Sequence, residues 1–173
     1  MITLCKKPPV ISLIGLMLCI GLISAAFYLQ YVEGLEPCPL CMMQRLVIYL
    51  LALLFLLSAL HRPQRIGQRL YAGLIILVSM AGGGFASRQL WLQNLPPEEV
   101  PACGPSLDYM IDVLPWTEVL SVMMRGTGDC AKVAWTFLSL SIPGWTLVAF
   151  IVFALLGLML WRATPTNTRH NHS

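Results

Sequence analysis

Apolar residues along this chain gather into four long runs, at 10–31, 42–60, 70–90 and 144–161, separated by polar stretches. Each run holds about 18–22 residues, enough for a helix to cross a hydrocarbon core roughly 30 Å thick. None alternates apolar and polar positions as a half-buried strand does, and all twelve prolines fall outside the runs. Backbone amides in lipid have no water to bond, so spanning segments are continuous helices or closed barrels. The pattern therefore predicts an all-α membrane protein, a four-transmembrane-helix bundle forming one domain over residues 1–173. The first run follows Lys6 and Lys7 and contains Ser24, Ala25 and Ala26, as a cleaved secretory signal would. It is longer than the usual apolar core of about 7–15 residues in such signals, so it reads as a retained anchor.

The connection at 91–143 has a pattern of its own. Leu107, Met110, Ile111, Leu114, Val119, Leu120, Met123 and Met124 recur at spacings of three and four, interrupted by Pro115. Asp108, Asp112, Glu118 and Arg125 fall between them. This predicts one or two short amphipathic helices on the membrane surface, although a lid packed on itself would share the pattern.

Charge assigns the sides. Lys6, Lys7, Arg62, Arg65, Arg69, Arg162 and Arg169 all fall on one face of the four-span arrangement, with no acid among them. Glu33, Glu36, Glu98, Glu99, Asp108, Asp112, Glu118 and Asp129 fall on the other, with Arg125 and Lys132. The Lys/Arg bias alone puts both termini, 1–9 and 162–173, in the cytoplasm and the loops 32–41 and 91–143 outside. Composition agrees with a bilayer as the solvent: 57% of residues are hydrophobic, 11% are charged, and the mean hydropathy is +0.74. The net charge of +3 is unclustered and gives no reason to invoke nucleic acid.

Two arginines break the apolar runs, Arg45 and Arg88, each near an outward end. A charge at that depth is unfavourable unless it snorkels or finds a partner, which makes each a functional candidate. The six cysteines sort by topology. Cys5 lies in the cytoplasmic tail, and Cys19 lies inside the first helix as a small apolar core residue. Cys38, Cys41, Cys103 and Cys130 face outward, where disulfides form; three pairings are open to them, and spacing does not choose.

Cys38 and Cys41 make a CxxC at a helix start, where the helix dipole favours a thiolate. Pro37 and Pro39 suit that start. Arg45 follows Cys41 by four residues, one turn along the same face. A guanidinium there favours a thiolate and offers donors to a carbonyl of a flat, lipid-soluble acceptor. Cys103 and Cys130 enclose a ring of 28 residues. Closing it would stabilise the fold by roughly 3–4 kcal/mol, a purely structural role. The CxxC on the same face argues instead for exchange between two disulfides. Pro96, Pro97, Pro101, Gly104 and Pro105 near one cysteine, with Gly126 and Gly128 near the other, read as a mobile carrier loop.

These elements resemble the DsbB family of bacterial disulfide-forming membrane proteins. The resemblance rests on Cys38-Pro39-Leu40-Cys41 followed by Gln44-Arg45, and on Cys103 and Cys130. It extends through Trp135-Thr136-Phe137-Leu138 and Ile142-Pro143-Gly144-Trp145, and through the four spans with their orientation, so it covers nearly the whole chain. It implies an inner-membrane, quinone-dependent thiol oxidase, with ubiquinone or menaquinone as cofactor. Its implied partners are a periplasmic thioredoxin-fold dithiol oxidase (DsbA-like) and the quinone pool. Cys103 would accept attack from the partner's thiol, Cys130 would attack Cys38, and Cys41 would face the quinone, assisted by Arg45. Some members carry a histidine near the outer end of the third helix; this chain has Arg88 in that neighbourhood, which extends the implied quinone site to it.

Gly82, Gly83 and Gly84, with Ala81 and Ala86, predict close helix packing in the third span. Two other functions fit parts of the pattern. Four outward thiolates could hold zinc or copper(I) in a non-enzymatic metal-binding protein, but one CxxC with two separated cysteines lacks the second knuckle of a zinc ribbon. A structural tetraspan scaffold with two inert disulfides leaves Arg45 unexplained.

Overall fold

The computed structural model describes residues 8–61, 63–96, 98–102, 109, 112–133 and 135–163. Its helices are α1 (Pro8–Tyr31), α2 (Pro39–His61), α3 (Arg65–Gln93), α4 (Trp116–Arg125) and α5 (Ile142–Arg162). All but α4 are long and apolar enough to cross a membrane. A 3-10 turn, Gly128–Ala131, and a hairpin of β1 (Thr136–Phe137) and β2 (Leu140–Ser141) connect α4 to α5. Cys5, Cys103 and Arg62 lie outside the described residues, as do Leu107, Asp108, Met110 and Ile111 of the expected amphipathic stretch.

The helices outrun the apolar runs that announced them. α2 begins at Pro39 and takes Leu40 and Cys41 into its first turn, and α3 extends from Arg65 to Gln93. Hydropathy marks what lipid tolerates, whereas helical hydrogen bonding continues until the local backbone stops it. α1 stops where Gly34 takes φ +66° and the Leu35 N–H reaches back to the Leu29 carbonyl at 3.1 Å. The hairpin is a departure from an all-α chain. Its turn residues, Leu138 and Ser139, have φ of 51° and 64° and carry none of the Asn-Gly chemistry that betrays such turns in a sequence.

α3 packs most extensively on α5, α2 lies between α1 and α3, and a smaller α1–α5 contact closes the ring. Phe55, Phe150, Phe153, Leu51, Ile75 and the expected Cys19 fill its centre. Small residues admit the large ones. A Cβ on Gly15 would stand 2.6 Å from the Phe55 ring, and one on Gly82 would overlap Phe150. Of the three consecutive glycines only Gly82 is needed for this: nothing lies within 4 Å of a Cβ at Gly84. The outside of the ring stays apolar, with Leu13, Met17, Leu77 and Leu155 all more than half exposed, as a lipid-solvated surface requires.

Ser12 and Gln68 are buried polar groups that bond between helices. Ser12 and Ser58 hydroxyls share a hydrogen bond of 3.0 Å across α1 and α2. The Gln68 amide on α3 donates to the Leu160 carbonyl at 2.6 Å and also to the Ala163 carbonyl, satisfying acceptors left over at the end of α5. α4 begins after Pro115, with Glu118 in its first turn and Arg125 in its last, as the helix dipole favours. It buries Val119 but leaves Trp116, Leu120 and Met124 exposed along one side. That open stripe suits a helix lying on a membrane better than a lid closed on itself.

Gly82→Ala should destabilise the bundle by about 1–3 kcal/mol, because the added methyl displaces the Phe150 ring. Gly84→Ala should be neutral or stabilising by up to about 1 kcal/mol through helix propensity. Thermal midpoints of the two variants in the same detergent distinguish them; equal losses would remove the assigned role of Gly82.

Candidate functional site

The first turn of α2 organises the site. Pro39 has no N–H to leave unsatisfied and a φ already near helical, so it is tolerated at the helix start. Cys38, just before it, takes the position of a capping serine: its sulfur accepts the Cys41 backbone N–H at 3.4 Å. The Cys38 and Cys41 sulfurs are 2.9 Å apart, so a bond between them requires no movement of the helix. Cys19, Cys38, Cys41 and Cys130 are covalently unbonded to one another in this structure.

Cys130 arrives from the 3-10 turn and is fully buried with Leu40 and Leu92, Cys38 packing against them. Gly126 makes this docking possible. It closes α4 with φ +79°, and a Cβ there would lie 2.7 Å from Leu40 and 2.9 Å from Leu92. The Gly128 N–H bonds the carbonyl of Ala102, the residue before Cys103 in sequence, at 3.2 Å. Gly126 and Gly128, read from sequence as signs of mobility, are buried in the structure and serve close approach.

Cys38 lies against Cys130, and a hydrogen bond from its thiol would polarise the pair. It lowers the Cys130 thiol to about 6 against the opposing effect of burial, with help from the Leu40 backbone and from Thr127. The same bond, then Cys41 and burial, push Cys38 well above the ordinary thiol range. Of the two, Cys130 is the more acidic and Cys38 the less. The Thr127 hydroxyl is buried without a hydrogen-bond partner among the described residues, and turned toward Cys130 it would favour the thiolate. Leu40 lies in the first turn of α2, so the helix N-terminus expected to serve the CxxC also serves Cys130.

A layer of neutral amides lies beneath the sulfurs. The Gln89 amide on α3 donates to Cys41 at 3.2 Å and to Cys38 at 3.3 Å. Its oxygen accepts from Gln44 at 2.7 Å, and the Thr146 hydroxyl donates to the Gln44 oxygen. Gln44 and Gln89 are both buried. Gln44 appeared in the motif without a role, and Gln89 and Thr146 were not singled out. The available signal was an uncharged amide near the end of an apolar run, which is quieter than the arginine beside it.

The structure brings Cys38, Cys41 and Cys130 together; Cys103 lies outside the described residues. Arg45 turns to α1, donating to the Gln30 side chain and to the Ala26 carbonyl at 3.1 Å, with its guanidinium 5.9 Å from the Phe27 ring centre. Arg88 covers the Trp91 ring at 4.4 Å and donates to the Arg125 carbonyl at 3.4 Å, facing α4.

In the fully reduced protein, ultraviolet thiolate absorbance assigned to Cys130 by difference against Cys130→Ser should persist below neutral pH. Because the folded value is depressed, the thiolate is present above about 6 and is lost as pH falls through it. Thr127→Val should move that midpoint upward. A midpoint at the ordinary thiol value in the parent protein would remove the polarity assigned to the pair.

A family model described as "Disulfide bond formation protein DsbB" matches residues 8–160. "Disulfide bond formation protein B" of Hahella chejuensis is 55% identical over 145 residues, covering 84% of this chain and 88% of the relative. The protein of that name from Marinobacter nauticus is 54% identical over 151 residues, covering 86% and 90%. "Disulfide bond formation protein B 1" of Pseudomonas aeruginosa is 44% identical over 147 residues, covering 85% and 90%. The sulfur cluster at the end of a four-helix bundle thus sits in a chain that belongs to the DsbB family, and the protein is a membrane disulfide oxidase.

Proposed function

We propose that this oxidase takes electrons from the dithiol of a thioredoxin-fold (DsbA-like) partner outside the bacterial inner membrane and passes them to a membrane quinone. The observation that carries this reading is the contact series Cys130, Cys38, Cys41, in which Cys38 packs against the buried Cys130 and lies 2.9 Å from Cys41. The charge bias of the sequence supports cytoplasmic termini and an outward, oxidising side for the cysteines.

The exchanges balance as follows. A partner thiolate attacks Cys103 of a Cys103–Cys130 disulfide, forming a mixed disulfide and releasing Cys130 as thiolate. Cys130 attacks Cys38 of the Cys38–Cys41 disulfide; that bond breaks and Cys41 leaves with the electron pair. The Gln89 amide, 3.2 Å from Cys41, stabilises the charge that develops there. The partner's second thiolate completes its own disulfide and frees Cys103, which attacks Cys130 and releases Cys38. Two electrons have then moved from the partner to the CxxC pair. Each step needs only a thiolate and an accessible sulfur.

A quinone, when bound, would supply the two-electron acceptor for the Cys38–Cys41 pair. The residues near Arg45 fit such a group. Gln30 and Ala26 engage two of the guanidinium's five donors. Phe27 and Tyr31 stack at 5.9 Å beside it, both rings open to lipid. A flat ring finds there an aromatic surface and donors for a carbonyl. The alternative, a non-enzymatic metal-binding protein, draws no support from the family to which the chain belongs.

Two experiments test this. In Cys41→Ser, treated with a reduced thioredoxin-fold dithiol protein, turnover should stop after one equivalent of partner is oxidised, with Cys103 and Cys130 left as free thiols in peptide mass spectrometry, because no Cys38–Cys41 disulfide remains to accept their electrons. Normal turnover in the Cys103→Ser, Cys130→Ser double variant would make that pair structural. Arg45→Met should leave exchange with the partner intact but raise the apparent KM for a short-chain quinone, and lysine should restore only part. Unchanged quinone kinetics would reduce Arg45 to an anchor between α1 and α2.

A further inference from the structure

A cleft of about 510 Å³ lies between α4 and the cysteine end of α3, lined by Arg88, Thr117, Leu120, Ser121, Met124 and Arg125. It takes no part in the sulfur chemistry described above. Two guanidinium groups share it, and neither meets a carboxylate among the described residues, where the one ion pair is Lys132 with Asp129. Arg88 spends its Nε donor on the Arg125 carbonyl, at the end of α4 where the helix dipole favours a cation. The Nη groups of both arginines have no hydrogen-bond acceptor among the described residues. Like charges side by side repel, and an anion between them reverses the sign.

The surroundings identify the source of that anion. Trp91 lies beneath the Arg88 guanidinium, and Trp116 is exposed nearby on α4; indole rings favour the headgroup level of a bilayer. Leu120 and Met124 line the cleft and also belong to the open apolar stripe of α4, so the cleft faces lipid as well as water. Thr117 and Ser121 add hydroxyl donors one turn apart. A group matching all of this is anionic, accepts several hydrogen bonds and carries an apolar tail.

We propose that this cleft binds the phosphate of an anionic phospholipid, with acyl chain against Leu120 and Met124. The lipid clamps α4 to α3 through Arg88 and Arg125. It thereby holds Gly126 and the Cys130 turn, which follow α4 directly, against Leu40 and Leu92.

The test uses the full chain in phosphatidylcholine nanodiscs containing increasing fractions of phosphatidylglycerol, with amide hydrogen exchange of residues 116–125 as readout. Phosphatidylglycerol should slow exchange in the parent protein. Arg88→Gln or Arg125→Gln should each require about five-fold more of the lipid for the same protection, and the double variant about 25-fold more. Arg65→Gln, at the opposite end of the bundle, should respond as the parent does. An unchanged lipid response in the double variant overturns the proposal, as does equal weakening by Arg65→Gln, which would mean bulk charge only. Protection by inorganic phosphate in pure phosphatidylcholine discs would identify an aqueous anion site and overturn the lipid assignment. A raised quinone KM in Arg88→Gln with an unchanged lipid response would make the cleft a quinone site instead.

Discussion

Thiol–disulfide exchange is a reaction of contact, and the architecture at the cysteine end follows from that constraint. A sulfur that must attack another has to be held against it by something other than the bond about to form. Here that support is packing: Leu40 from α2 and Leu92 from α3 make a floor, and Gly126 lets the chain lie flat enough on it for Cys130 to reach Cys38. The floor in turn depends on α2 and α3 staying in register. Farther down the bundle, Phe55 seated on Gly15 and the Ser12–Ser58 pair hold α2 to α1, and Phe150 seated on Gly82 holds α5 to α3.

Neutral dipoles, more than charges, tune the sulfurs. A buried cation beside Cys41 would require desolvation of its own, whereas the amides of Gln89 and Gln44 satisfy one another and still leave a donor facing the sulfurs. Arg45 lies instead at the α1 side, where the Gln30 and Ala26 oxygens share its charge. The site thus has two flanks, one of amides toward α3 and one with a partly engaged cation toward α1. The first suits sulfur chemistry, and the second suits an acceptor arriving through lipid.

Much of this was legible in the sequence because lipid imposes a strong and simple rule. The runs at 10–31, 42–60, 70–90 and 144–161 announced four helices, and the CxxC announced a redox pair. The surface helix α4 showed through its three-and-four spacing, and Pro115 marked where it begins. What stayed hidden depended on contacts between distant segments. Gln89 meets Cys41 across 48 positions of chain, and Thr146 meets Gln44 across 102. The glycines near Cys130 were misread for the same reason: local sequence says that glycine permits motion, and only the packed neighbours say that it permits approach. The hairpin was missed because Leu138 and Ser139 adopt a turn that other residues favour.

The sulfur that begins α2 as its cap also packs beside Cys130. A free thiol and a sulfur shared in a disulfide both offer only weak acceptor lone pairs to the Cys41 N–H, so the cap does not depend on charge at Cys38. The redox pair is thereby built into the first turn of a spanning element of 23 residues, and the helix presents it without having to unwind.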